Sequence, residues 1–233
     1  MTSHFITFAA GSQNYYDAGE RLIRQATALG LFSTLKLYTD DDLKKDSAFW
    51  SIHGNFIEAN LRGYGYWLWK SYIIKKTMGQ LKDGDVLLYL DCGCEIDSRK
   101  KNVIEEFMRT VKTSQIIYSC NCIEEVLTKM DLLVKLDMVD DKHMKSYQHQ
   151  AGAILFYISD TTRALVNQWY ELSSEYHNID DSPSIIPNIS VFYEHRHDQS
   201  IFSLLTKKYN LYNTYSIFHC IEYIRNKTGL SRL

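Results

Sequence analysis

The sequence predicts a single α/β domain over residues 1–233, built on a mostly parallel central sheet flanked by helices. Three observations carry that prediction. Residues 86–90 (VLLYL) and 151–158 (AGAILFYI) have no polar face, as strands covered on both sides require. The chain opens strand, helix, strand, an order that favours parallel pairing. A length of 233 residues fits one domain with a substantial core, and no repeat, low-complexity tract or linker interrupts it.

The elements follow in order. Residues 4–10 (HFITFAA) form a buried strand, and residues 11–17 a polar loop carrying Tyr15. A helix over 18–29 places Leu22, Ile23, Ala26 and Leu29 on one face and stops at Gly30. Residues 34–38 form a second strand. Its predecessor is not followed by G-x-G-x-x-G, so a dinucleotide site of the Rossmann type is disfavoured. A helix over 56–78 contains RGYGYWLWKSYIIKK, with Tyr66, Trp69, Ile73 and Ile74 on one face and Arg62 and Lys70 elsewhere. Its two glycines cost about 1 kcal/mol each relative to alanine. They either admit a close backbone approach or mark a loop before the helix.

KDGD at 82–85 is turn chemistry that starts the strand at Val86. Helices are expected over 102–112 and 124–136, with a strand over 115–120 between them. Asp160 caps a helix over 160–176 whose buried stripe is Leu165, Trp169, Leu172 and Tyr176. Residues 180–187 form a loop. Asp198 opens a further helix, where cap and dipole both favour a carboxylate. Residues 215–233 show no period.

Composition narrows the function. The net charge of −2 has no block of one sign, which argues against a nucleic-acid surface. No run reaches the length of a membrane span, and a basic-then-apolar leader is absent. The five cysteines then read as reduced thiols, implying the cytosol. Cys92, Cys94, Cys120 and Cys122 form two C-x-C pairs, one residue short of the usual zinc spacing. Seventeen tyrosines and four tryptophans supply rings that stack on sugars and bases or fill a core.

The most informative stretch is 86–95, VLLYLDCGCE. Ligands of open α/β sheets bind beyond the carboxyl ends of the strands, where Asp91 falls. On an extended backbone Asp91, Gly93 and Glu95 share one face. Hard cations take one or two carboxylates and leave positions for phosphate, so a metal–diphosphate site is expected here. The alternative is a turn capped by Asp91 with Glu95 in solvent. His195, His197 and Asp198 could instead form a metallohydrolase cluster, or be loop residues ahead of a capped helix.

The order of these pieces resembles the GT-A-fold glycosyltransferases, in particular glycosyltransferase family 8 and small uncharacterised bacterial and viral glycosyltransferase-like proteins with RGYGYWLWKP and YLDAGCEI segments. YLDCGCE, HQAGAILF, HRHDQSIFSLL and a late histidine match that order over nearly the whole chain. The resemblance implies a hexosyltransferase using a nucleotide-sugar donor, with uridine diphosphate as the expected carrier, a saccharide or other acceptor, and Mn²⁺ or Mg²⁺. Asp91 matches the first aspartate of D-x-D. Gly93 stands at the second, so Glu95 and His219 would complete the metal site. Asp198 and Gln199 match the catalytic D-Q pair, and Gln150 an asparagine beside the donor sugar. Thr7, Ala9 and Tyr15 would hold the nucleoside, and Arg62, Lys70, His197 and Lys227 complete the substrate-binding set. The rival readings are a metal-dependent phosphoesterase and an inactive nucleotide-sugar-binding protein.

Overall fold

A computed structural model describes every residue except 214. The first half of the chain contains β1 (Ser3–Ala9), α1 (Gln13–Leu29), β2 (Thr34–Thr39), α2 (Asp40–Lys45), α3 (Ser47–Ala59), α4 (Gly63–Tyr66) and α5 (Leu68–Met78). Then come β3 (Val86–Leu90), β4 (Glu95–Ile96), α6 (Lys101–Ser114), β5 (Ile116–Ile117), β6 (Cys120–Ile123), α7 (Glu124–Leu127) and α8 (Met130–Lys135). The last part holds α9 (Asp141–Met144), β7 (Tyr147–His149), β8 (Ala153–Tyr157), α10 (Asp160–Ser174), α11 (Asp198–Lys208) and β9 (Ile221–Glu222).

The central sheet has the order β2-β1-β3-β8-β5. β1 pairs with β2 and β3 in parallel, while β8 is antiparallel to both β3 and β5. Four strands therefore share one direction and β8 is reversed. β3 explains the unbroken apolar run at its centre: Leu87 and Tyr89 pack into the cluster with α5, α10 and α11, and Val86, Leu88 and Leu90 into the one with α1 and α6. Both faces are buried, so neither admits a polar residue. The carboxyl ends of β1 and β3 and the start of the reversed β8 lie together on one edge.

Four expected elements differ, each for a tertiary or local reason. α1 begins at Gln13 rather than 18, so Tyr15 lies in its first turn. The helix expected over 124–136 breaks between α7 and α8, where the Lys129 backbone N–H donates to His195 Nδ1 (3.2 Å) and its ammonium pairs with Asp180 (3.0 Å). The strand expected over 115–120 shrinks to β5 because Cys120 joins a separate pair, β6 with β7. The helix expected over 56–78 is interrupted. Residues 63–67 run Gly, Tyr, Gly, Tyr, Trp with φ of 59°, 53°, 84°, 51° and 61°, a turn of the hand that costs an L-residue about 1–2 kcal/mol. Backbone bonds from Gly65 to Asn60 and from Tyr66 to Arg62, both 2.8 Å, hold it, as does the Trp69 indole donating to Gly63 at 2.9 Å. A side chain at Gly65 would place its Cβ 2.7 Å from Ile57.

Candidate active site

A cleft of about 720 Å³ opens on the sheet edge where β1, β3 and β8 meet. Its floor is made by three charged side chains. Asp91 follows the last residue of β3, and Asp198 is the first residue of α11. Lys70, on α5, reaches between them, with Nζ 2.9 Å from Asp198 Oδ2 and 3.3 Å from Asp91 Oδ1. The Tyr89 hydroxyl donates to Asp91 at 2.6 Å, and the Lys70 ammonium lies 5.6 Å above the Tyr89 ring. Lys70 and Asp198 are buried, whereas Asp91 is half-buried and faces the cleft.

The electrostatics of this triad follow from its composition. Burial pulls the Lys70 pKa down, but Asp198 and Asp91 outweigh it and raise it above the usual lysine range. Burial pushes the Asp198 carboxyl up to about 6, against the pull of Lys70 and with repulsion from Asp91. One ammonium shared by two carboxylates leaves a carboxyl that titrates near neutrality, a property concentrated at functional sites.

The walls come from three other segments. Ala9 and the loop after β1 run into Tyr15 on α1, and Arg62, Tyr64 and Trp67 line the side formed by the left-handed turn. Arg62 is held by Asp181 at 2.9 Å. The opposite wall is the tail after β9, with Tyr223, Arg225 and Lys227. Lys227 lies 5.1 Å above the Tyr15 ring and Arg225 5.9 Å above that of Tyr223. Gln199 also lines the cleft, its amide donating to Gln148 at 2.5 Å. Gln148 in turn bonds Glu124, Thr128 and Ser200 in a buried polar network closed by the Lys207–Glu124 ion pair.

Buried Arg21 on α1 fixes the tail. It donates to the carbonyls of Cys92 and Cys94 (2.8 and 2.7 Å) and to those of Asn226 and Thr228 (3.0 and 2.7 Å). One guanidinium thus joins the loop after β3 to the segment carrying Arg225 and Lys227.

Of the residues singled out by sequence, the structure gathers Ala9, Tyr15, Arg62, Lys70, Asp91, Asp198, Gln199 and Lys227 around one cleft. Five others lie elsewhere. Thr7 is fully buried and donates to the Leu90 carbonyl at 2.7 Å, tying β1 to β3. Gln150 is bound through its backbone to Ser119 and does not line the cleft. His197 is buried between the Tyr66 and Trp67 rings and bonded to the Ile179 carbonyl at 2.7 Å.

Glu95 and His219, the expected metal ligands beside Asp91, are the larger corrections. The chain turns after β3, with the Cys94 N–H bonded to the Asp91 carbonyl at 2.9 Å. The expected alternation of faces therefore ends at Asp91. Glu95 is fully buried and accepts from Gln25, Asn226, Ser231 and the Arg232 backbone. Burial alone would raise its pKa, yet these donors hold it below the usual range. His219 is exposed beside Phe107, 6.4 Å between ring centroids, away from the cleft. Among the described residues no group of three or more His, Cys, Asp or Glu is placed to hold a metal ion. The donor set around Asp91 thus does not fit Mn²⁺ or Mg²⁺.

The phosphoesterase cluster does not form either. Both ring nitrogens of His195 are engaged, one by the Lys129 N–H and the other by the Asn178 carbonyl at 2.8 Å, and burial lowers its pKa to about 3. The paired cysteines also separate: Cys92 and Cys94 are buried below the cleft, whereas Cys120 and Cys122 are exposed on β6.

Sequence reasoning missed Arg21, Tyr64, Trp67 and Tyr223. The tail residues are brought in by β9 pairing with β4, a contact between two-residue strands with no periodic signal. Arg21 sits among the polar positions of an amphipathic helix, and no pattern separates it from solvated neighbours.

The sheet, four strands one way and one reversed with an acidic strand end at its centre, is the helix-flanked arrangement the resemblance implies. No protein-family model matches the chain, and no curated protein matches it. Among solved structures this chain is similar to mouse xyloside xylosyltransferase 1, at 12% identity over 91% of this chain and 83% of that one, with a TM-score of 0.45. It is similar to the galactosyltransferase LgtC, solved with donor and acceptor sugar analogues, at 14% identity over 98% and 84%, TM-score 0.44. A third is a glycosyltransferase involved in glycosylation of the major capsid of PBCV-1, at 12% over 75% and 68%, TM-score 0.41. No described helix is long and apolar enough to cross a membrane.

Proposed function

We propose that this chain is a glycosyltransferase that moves a hexose from a nucleoside-diphosphate sugar, with uridine diphosphate as carrier, to a hydroxyl of a saccharide or other acceptor. The observation that carries the reading is the Asp91–Lys70–Asp198 triad on the floor of a cleft whose far wall presents Arg225 and Lys227. The cleft is large enough for a nucleotide sugar. Ala9 and Tyr15 lie where the nucleoside enters, and Asp91 meets the donor at the strand end. Arg225 and Lys227 face the diphosphate.

In the reaction the bond between the anomeric carbon and the diphosphate oxygen breaks. The nucleoside diphosphate leaves with the electron pair, and the acceptor oxygen forms the new bond as its proton passes to the departing phosphate oxygen. The transition state resembles an oxocarbenium ion, which a nearby carboxylate stabilises. Asp198 supplies that carboxylate. Lys70 holds it in place, and Gln199 is fixed beside it through Gln148. Preorganised charge of this kind is a large contributor to rate.

The test is release of nucleoside diphosphate from a panel of nucleotide sugars, with calorimetric binding of uridine diphosphate alongside. Asp91→Ala is expected to weaken binding about tenfold or more and to abolish release. Unchanged binding and turnover in that variant would overturn the reading. Binding with no turnover of any donor would leave a nucleotide-sugar-binding protein.

A further inference from the structure

We infer that this protein binds and uses its donor without a divalent cation, because the positive charge a metal would bring is built into the chain as Lys70, Arg225 and Lys227. The inference rests on the glycosyltransferase reading above and concerns how that site holds the diphosphate. Four observations carry it.

The first is the donor set. A hard cation takes one or two carboxylates besides phosphate and water; among the described residues Asp91 is the carboxylate the β3 end offers to the cleft, and the second one there, Asp198, is tied to Lys70 at 2.9 Å. Glu95 spends its oxygens on the tail, and His219 lies outside.

The second is steric. At Gly93, where a second carboxylate would stand, an added Cβ would lie 3.2 Å from the Arg225 Cα. That neighbour is backbone, pinned by the Asn226 N–H donating to the Gly93 carbonyl at 2.8 Å. The close approach that brings Arg225 to the cleft is the one that crowds any side chain at position 93.

The third is occupancy by charge. The Lys70 ammonium stands between the two carboxylates, at 2.9 and 3.3 Å, where it pairs with both and repels a second cation placed between them. It is buried and enters from α5, so it cannot swing into solvent without opening the core.

The fourth is what remains available. Arg62 and Arg196 are both engaged by carboxylates, Asp181 and Glu194. Among the described residues Arg225 and Lys227 form no ion pair, and their charged ends lie over the Tyr223 and Tyr15 rings. Both are exposed on the cleft wall. Two unpaired cations on one wall match the charge of a diphosphate, and arginine can take two phosphate oxygens at once.

The test combines metal and nucleotide binding on the intact protein. Titrating Mn²⁺ alone and following the free-ion signal by electron paramagnetic resonance is expected to show no uptake. Calorimetry with uridine diphosphate is expected to give affinities within about twofold in excess EDTA and in Mn²⁺. Lys227→Ala combined with Arg225→Ala should lose about tenfold or more for uridine diphosphate in EDTA, while affinity for uridine stays unchanged. Because both residues are exposed, the variant should keep the parent melting temperature. An affinity that rises tenfold or more with Mn²⁺, or stoichiometric Mn²⁺ uptake by the protein alone, would overturn the inference and leave the glycosyltransferase reading standing. Failure of every nucleoside diphosphate to bind in either medium would remove both.

Discussion

At the scale of single residues, Asp198 and Arg21 make the sharpest claims. Asp198 has a carboxyl raised to about 6, so it carries a proton below that pH and a charge above it. If the charged form serves the reaction, turnover falls on the acid side with an apparent pKa of about 6. A pH–rate profile checks this, and Asp198→Asn should abolish both the limb and most of the rate. Arg21 works through other residues. Arg21→Met leaves four carbonyls, three of them buried, short of a donor and should cost about 3 kcal/mol or more in urea unfolding. Proteolysis should then cut first in the freed tail. Asp91 and Asp198 could be found by sequence because strand ends and helix starts are visible in local pattern, whereas Lys70 came from the family resemblance. Arg21 could not, because its partners lie 71 to 207 positions away.

At the scale of elements, the turn at residues 63–67 carries the most information. The sequence pattern shows two glycines among aromatics but not the hand of the backbone, since φ depends on what packs around it. Here the packing is α3 on one side, through Ile57, and the cleft on the other. Strain of this kind persists only where the surroundings enforce it, and it concentrates at functional sites. Gly65→Ala should therefore cost about 2 kcal/mol and lower the melting temperature by several degrees. Because Tyr64 and Trp67 line the cleft, calorimetry should show weaker donor binding in the same variant. The shortened β5 and the broken 124–136 helix were illegible for a similar reason: both follow from long-range partners, His195 and β7.

At the scale of the whole molecule, a central sheet was legible because its inner strands are apolar on both faces, whereas the strand order and the reversal of β8 were not. The acidic sheet edge followed from those strands. Buried histidines away from the cleft contribute to acid stability. His149 and His195 are both lowered to about 3 by burial from an ordinary value of 6.5. The unfolded chain therefore takes up protons that the fold refuses, and stability falls as pH drops from 6.5 towards 3. Each histidine adds a slope of up to about 1.4 kcal/mol per pH unit in that window. Urea midpoints measured across it should fall, and His195→Asn should flatten the curve if the fold accepts the smaller amide.

The contact between Gly93 and the Arg225 backbone also bears on descent. A chain that once carried D-x-D and lost its second carboxylate would, after the tail settled into the space, find the way back closed to any one substitution. Reinstating the aspartate alone, as Gly93→Asp, would set a side chain against main chain 3.2 Å away. That variant should melt lower than the parent and still take up no Mn²⁺. Recovering the metal would require the tail to withdraw, the aspartate to return and Lys70 to give up its place, three changes of which each alone is harmful. On that course the missing carboxylate would be a property of the tail and of Lys70 as much as of position 93.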